Sequence, residues 1–224
     1  MSLKTAKKPA ARDKDALTRT LEMEIIFGRL FPNQRLIEDE LMERFGQSRH
    51  RVRQSIDALV LGGLAVRETN KGAHVCSYSS TEIREMYELR SVLQTAALTR
   101  MALPLAADDI RNLRDLHARH VAASTDGDLT EVFHIDNAFH AAIFGATPNA
   151  VMAEAIAVQA KRTHPIRSLN FNSDQYLNEA QTEHAAMIDA LESGDRETLI
   201  ALHDQHIMRP MHAYLQQYGL DPKA

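Results

Sequence analysis

At 224 residues the chain has room for one large domain or two ordinary ones, and an apolar share of 44% provides real cores, which excludes a disordered chain. A single cysteine, Cys76, excludes a disulfide framework and any thiolate-rich metal site within one chain. No stretch nears the ~20 apolar residues of a membrane span and no signal-peptide core follows the N-terminus, so a soluble, cytoplasmic protein with no membrane partner is expected. The net charge of −4 conceals a split. Residues 1–78 carry 14 Lys+Arg against 10 Asp+Glu, and residues 79–224 carry 12 against 20. Two histidines lie before residue 79 and nine after it, so the two parts have different chemistry.

Residues 1–14 hold Lys4, Lys7 and Lys8 without periodicity and are read as a flexible N-terminal arm. A winged helix-turn-helix domain is expected over 15–77 and a helical domain over 78–224. The first helix is expected over Asp15–Gly28, with Leu17, Leu21 and Ile25 spaced by four. Pro32-Asn33 is a turn. Glu38–Phe45 and Arg49–Leu61 form two helices joined by Gly46-Gln47, with Ser48 as the N-cap of the second. Val52, Ile56 and Leu59 form the buried stripe of that second helix, while His50, Arg53, Gln54 and Asp57 face outward. A helix opening with Arg49, His50, Arg51 and Arg53 presents cations and a helix N-terminus together, which suits phosphates and base edges. Gly62-Gly63 ends it. Leu64–Arg67 and Ala73–Cys76 then read as a hairpin, the wing, with Lys71 and Gly72 at its tip.

These residues resemble the DNA-binding domain of the GntR family of bacterial transcription regulators. The resemblance lies in Pro32-Asn33, Glu38 to Leu41, Gly46-Gln47-Ser48-Arg49, Val52-Arg53, Gly63-Leu64 and Gly72. It implies that Arg49 and Arg53 contact double-stranded operator DNA, with His50, Arg51, Lys71 and Gly72 assisting. Asn33 stands where the family has glycine, a mild change because asparagine tolerates left-handed backbone. Gln47 stands where it has valine.

From Ser80 onward six helices are expected, over Glu82–Leu103, Ala107–Ser124, Leu129–Gly145, 147–163, Gln175–Leu191 and Asp195–Tyr218. Pro165 breaks the fourth, which Thr147 caps. Short connections imply an antiparallel bundle, so the chain is mostly α. Asp136 and His140 share the apolar stripe of the third helix of this set with Ile143 and Phe144. His184 shares one with Leu177, Ala180 and Ile188, and His206 one with Leu199 and Leu202. Any one of these histidines reads as a satisfied core residue. Four such groups together favour a divalent cation, because a buried carboxylate is costly unless paired. Imidazole and carboxylate ligands suit zinc, nickel, iron or manganese. His117, His120 and His203 are further structural or supporting candidates, and Glu183 is expected to point away from His184. Arg90 and Gln94 lie inside the apolar stripe of the first bundle helix. A buried arginine needs an anion, either Asp136 or a ligand carboxylate.

Residues 80–215 resemble the FCD effector domain attached to one branch of the GntR family. Glu88-Leu89-Arg90, Asp136 with His140, His184 after Glu183, and His206 carry the resemblance, and six helices point to the shorter, VanR-like version. It implies a metal held by Asp136, His140, His184 and His206, and a small carboxylate effector sensed there with Arg90 and Gln94. The resulting expectation is a homodimeric regulator, a repressor more often than an activator, on a palindromic operator. Two alternatives remain: a metal-dependent enzyme fused to a DNA-binding head, and a regulator with a purely structural metal. The first lacks H-E-x-x-H, G-x-S-x-G and a phosphate-binding loop.

Overall fold

The computed structural model describes residues 15–69 and 72–220, so the expected arm and Lys71 lie outside the described residues. The chain divides into two units between Cys76 and Ser77. The first contains α1 (Ala16–Ile26), α2 (Glu38–Phe45), α3 (Arg49–Leu61), β1 (Ala65–Glu68) and β2 (Gly72–Val75). Leu17, Leu21 and Ile25 of α1 meet Leu41 of α2, Val52, Ile56 and Leu59 of α3, and Val75 of β2 in one buried core. Each fully buried aliphatic side chain of this kind contributes about 1.5–3 kcal/mol of transfer free energy, which exceeds the weak intrinsic preference of so short a helix as α2.

The helix-turn-helix is set by its caps. Gly46 ends α2 in left-handed backbone at φ 60°, a conformation in which a Cβ is strained. Ser48 then accepts the Arg51 amide and starts α3. The wing strands pair antiparallel, Ala65 with Val75 through Glu68 with Gly72. Asn33 adopts φ 66°, the left-handed backbone that the Pro-Asn turn calls for. That turn directs residues 33–36 alongside β2: the Asn33 amide bonds the Val75 carbonyl at 3.1 Å and the Leu36 amide the Ala73 carbonyl at 2.9 Å. This second pairing has no periodic signal in the sequence, because it involves only a few residues.

The second unit comprises α4 (Ser80–Arg100), α5 (Ala107–Thr125), α6 (Leu129–Gly145), α7 (Ala150–Arg162), α8 (His164–Ser168), α9 (Asp174–Ser193) and α10 (Arg196–Gln217), with a 3₁₀ turn over Leu169–Asn172. The expectation of six helices is therefore corrected to seven. Pro165 lies in the first turn of α8 instead of only breaking α7, since its missing N–H is an orphan there in any case. Helix α4 packs on α10, α10 on α9, α9 on α5, and α5 on α6, while α7 covers α4 and α6. Asn149, not Thr147, caps α7 by accepting the Met152 amide at 3.0 Å. Helix α4 starts two residues earlier than its apolar pattern suggests. Ser79 and Glu82 form a reciprocal capping box, with the Ser79 amide 2.8 Å from Glu82 Oε2 and the Glu82 amide 3.2 Å from Ser79 Oγ.

Ser79→Ala removes that cap and is expected to cost about 1 kcal/mol, or about 2–4 °C in melting temperature, with Ser79→Thr close to wild type. Thermal unfolding followed by circular dichroism checks it.

Candidate functional site

Helix α6 places Asp136 and His140 one turn apart on its buried side, α9 supplies His184 and α10 supplies His206. One carboxylate oxygen and three ring nitrogens from these residues lie within 4.8 Å of one another. Asp136 Oδ1 is 3.8 Å from His140 Nε2 and 3.6 Å from His184 Nε2, and the Nε2 atoms of His140 and His206 are 3.1 Å apart. Two ligand atoms that share an ion at about 2.1 Å each stand roughly 3–4.2 Å apart, a range that contains these three separations, while the set as a whole extends to 4.8 Å and would draw in slightly around an ion. The four residues named from the sequence are thus brought together from three helices.

The protonation states follow from burial and neighbours. Burial pushes the Asp136 carboxyl up, but the Arg167 guanidinium and the imidazoles of His140, His184 and His120 together outweigh it and hold the group well below the usual carboxylate range. Arg167 Nη1 is 2.8 Å from Asp136 Oδ2, which leaves Oδ1 facing the imidazoles. Burial also holds His140 and His184 well below the ordinary histidine value. An ionised carboxylate and neutral imidazoles are the ligating forms of these side chains. On the other side of the cluster, His206 Nδ1 is 2.7 Å from Glu183 Oε2. Burial raises the Glu183 carboxyl, yet its bond to His206 and the adjacent Arg209 lower it overall. An ionised carboxylate only accepts, so Nδ1 of His206 donates to it, the tautomer in which Nε2 is the nitrogen turned to the cluster. Such an outer carboxylate fixes ring orientation and tautomer in metal sites.

Two further observations test the fit of a cation. Both ring nitrogens of His184 are buried without a hydrogen-bond partner among the described residues. Leaving a buried polar atom unsatisfied costs about 1–3 kcal/mol, which a cation bound to Nε2 would relieve. The Nε2 atoms of His206 and His140 face each other at 3.1 Å, a separation that needs a proton or a cation between them. The donor set of one carboxylate and three imidazoles suits zinc, nickel, iron or manganese. His120 is also buried with both ring nitrogens unpartnered, and its Nε2 is 4.0 Å from Asp136 Oδ1. It backs the cluster from α5.

A cavity of about 370 Å³ opens beside His140. Arg90 and Gln94 of α4, Asn137 and Phe144 of α6, Ile156 of α7 and Arg167 of α8 contribute to its wall. Gln94 Oε1 is buried there with no partner. Arg90 is 5% exposed, donates to Thr163 Oγ1 at 2.8 Å, lies over the Tyr87 ring and has an unpartnered Nε. No carboxylate pairs with it among the described residues. Two sequence expectations are corrected here. Asp136 is paired with Arg167, not Arg90, because Thr163 draws the Arg90 guanidinium toward α7. Glu183 does not point away from the site: α9 is buried on two sides, against α5 and α10, so its buried arc is wide enough to include both Glu183 and His184. That wide arc was visible as a second stripe through Glu183, Met187 and Ala190. Arg167 had no such signal, since it follows Pro165 outside every periodic segment.

In the N-terminal unit, Arg49, His50 and Arg53 are exposed on α3 and Arg51 is half-buried. Arg49 pairs with Asp39 at 2.5 Å and Glu38 at 3.3 Å, and Arg53 Nε with Glu38 at 2.9 Å. Gly72 has φ 83° and open space where a Cβ would stand, so close approach there is unobstructed.

Residues 85–209 match the FCD domain, and residues 14–75 match the bacterial regulatory proteins of the gntR family. The chain belongs to the GntR family and carries an FCD domain. It is a transcription regulator of that type, a class of DNA-binding proteins and not of enzymes, which sets aside the metalloenzyme alternative. Among relatives of this GntR regulator, the HTH-type transcriptional repressor RspR of Escherichia coli K12 is 22% identical over 92% of this chain and 91% of its own length. The HTH-type transcriptional regulator BphR of Paraburkholderia xenovorans is 23% identical over 92% and 86%. The solved structure of E. coli McbR/YncC superposes with a TM-score of 0.73 at 21% identity, covering 92% of this chain and 98% of that one. A GntR regulator from Rhodococcus sp. RHA1 gives 0.71 at 21% identity over 91% and 97%. These likenesses establish the fold. No helix among the described residues is long and apolar enough to cross a membrane.

The buried histidines of the FCD domain make stability depend on pH. Burial pushes His203 down to about 3 and His164 to about 2, from an ordinary 6.5. With the folded value depressed, their contribution is complete above pH ~6.5 and is lost as pH falls toward the folded value. His203→Leu is therefore expected to flatten the fall in melting temperature between pH 7 and pH 4. An unchanged slope would show that His203 does not stay neutral in the fold.

Proposed function

We propose that this regulator is a cytoplasmic homodimeric repressor whose affinity for a palindromic operator is set by a small carboxylate effector bound beside a metal ion. Asp136, His140, His184 and His206 hold the ion, with zinc the first choice and nickel, iron or manganese the alternatives. Arg90 and Gln94 engage the effector. Arg49 and Arg53, assisted by His50, Arg51, Lys71 and Gly72, engage DNA. The observation that carries the reading is Arg90, a buried cation without a carboxylate partner, on the wall of a cavity that His140 also lines. A desolvated guanidinium is favourable only with an anion, and a carboxylate matches its planar fork. An ion held by these four residues would supply Lewis acidity toward a ligand oxygen.

On the DNA side, the ion pairs of Arg49 and Arg53 are solvent-exposed and individually worth little, so phosphates can replace Glu38 and Asp39. A palindrome follows from two-fold symmetry of a dimer. The relative RspR is named a repressor, which supports the same sign here. The effector acts only through its differential affinity for the operator-competent and operator-incompetent states.

Two variants separate the ends of this switch. Arg53→Ala is expected to weaken operator binding about tenfold or more in a gel-shift assay, while leaving acid-induced stabilisation intact. Arg90→Met is expected to keep operator affinity and lose the stabilisation, which for a ligand at 100 times its dissociation constant is about 2.7 kcal/mol in the wild type. An Arg90→Met protein that still responds fully to the acid contradicts the proposal.

A further inference from the structure

The cavity beside His140 has two chemically different ends, and together they narrow the class of acid it takes. This inference rests on the effector reading above and deepens it. At one end stand Arg90, Arg167 and His140, contributed by α4, α8 and the middle of α6, with Lys161 at the end of α7 and His164 at the start of α8 also in the lining. Toward the α6–α7 connection the wall is Phe144 and Gly145 at the end of α6 and Ala153, Ile156 and Ala157 on α7. No serine, threonine, tyrosine, aspartate or glutamate is among the described residues that line it.

The supply of acceptors is what discriminates between acids. A polyhydroxylated acid brings a donor with every hydroxyl, and each must find an acceptor or lose its hydration uncompensated. Asn137 Oδ1 already accepts from Arg167 Nη2 at 2.5 Å, which takes one of its two lone pairs. The Asp136 carboxylate is paired with Arg167 and turned toward the imidazoles. Among the side-chain amides lining the cavity, that leaves Gln94 Oε1, buried and unpartnered. The cationic end therefore satisfies a carboxylate, acceptors for further donors are few, Gln94 Oε1 and the neutral His164 ring among them, and the wall toward the α6–α7 connection offers hydrocarbon contact only. A second carboxylate held away from the cationic end would be desolvated against Phe144 and Ile156.

We infer that the effector is a monocarboxylate with a compact hydrocarbon body, branched, alicyclic or aromatic, bound carboxylate-first toward Arg90 and His140 and with its body against Phe144, Ile156 and Ala153. Sugar acids and di- or tricarboxylates of similar size are rejected.

The test is a titration of the full-length protein, as purified with its metal, with cyclohexanecarboxylate, 4-methylpentanoate, gluconate and citrate, read by calorimetry and melting temperature. The two hydrocarbon acids are expected to bind at least about tenfold more tightly than gluconate or citrate, the discrimination that a few buried methylenes supply. Ala153→Leu, which fills the apolar end and leaves the cationic end untouched, is expected to weaken cyclohexanecarboxylate about tenfold or more while acetate binding is unchanged. If gluconate or citrate binds as tightly as the hydrocarbon acids, the inference fails and the carboxylate-sensing reading stands. If no acid of any kind binds a protein of normal melting temperature, the sensing reading fails with it. The wild-type series decides the matter even if Ala153→Leu does not fold.

Discussion

A single buried carboxylate organises the second half of this protein. Asp136 sits at 3% exposure in the middle of a helical bundle, where an isolated charge would cost several kcal/mol. Its Oδ2 is answered by Arg167 from α8, and its Oδ1 faces three imidazoles from α5, α6 and α9. The chain thus meets the desolvation cost with groups drawn from four helices, so the register of those helices is fixed by polar contacts as well as by packing. The outer pair of Glu183 and Arg209 performs the same service for His206 on α10. Buried polar clusters of this kind specify one arrangement only when every member is satisfied. The unpartnered ring nitrogens of His184 and His120 are the places where this one calls for something more.

The same centre joins the bundle interior to the cavity. His140 belongs to both: its Nε2 faces the cluster and the residue lines the cavity wall. Arg90 reaches that wall from α4, the helix that follows the wing in chain order, and is tied to α7 through Thr163. A ligand held between Arg90 and the His140 side would act on α4, α6 and α7 at once. It would shift an equilibrium only to the extent that these helices contact it differently in two arrangements. The DNA-binding unit needs no such centre. Its core is apolar apart from Ser55, which accepts from Thr18, and Glu24, which pairs with Arg44.

Much of this was legible in the sequence wherever a residue lay in a long periodic segment. The stripes of α6, α9 and α10 brought Asp136, His140, His184 and His206 inward, and the caps and turns at Gly46-Gln47-Ser48 and Pro32-Asn33 laid out the reading head and its wing. What escaped were features that leave no period. Helix α8 is five residues long with a proline in its first turn, so Arg167 and its ion pair with Asp136 were invisible, and of the two anions open to Arg90 the option of Asp136 is not realised. Residues 33–36 join the wing through only a few bonds to β2. Glu183 was misjudged because a single stripe was assumed for a helix buried on two sides. Long-range polar pairing is decided by tertiary geometry, and a helical wheel carries no information about it.

The account turns on whether the carboxylate and the three imidazoles hold an ion. Elemental analysis of the purified full-length chain, wild type beside His184→Ala, measures that directly. The account predicts one divalent metal per chain in the wild type, removable by a strong chelator with a fall in melting temperature, and markedly less in the variant. A metal-free wild type that melts at the same temperature with and without chelator would contradict it.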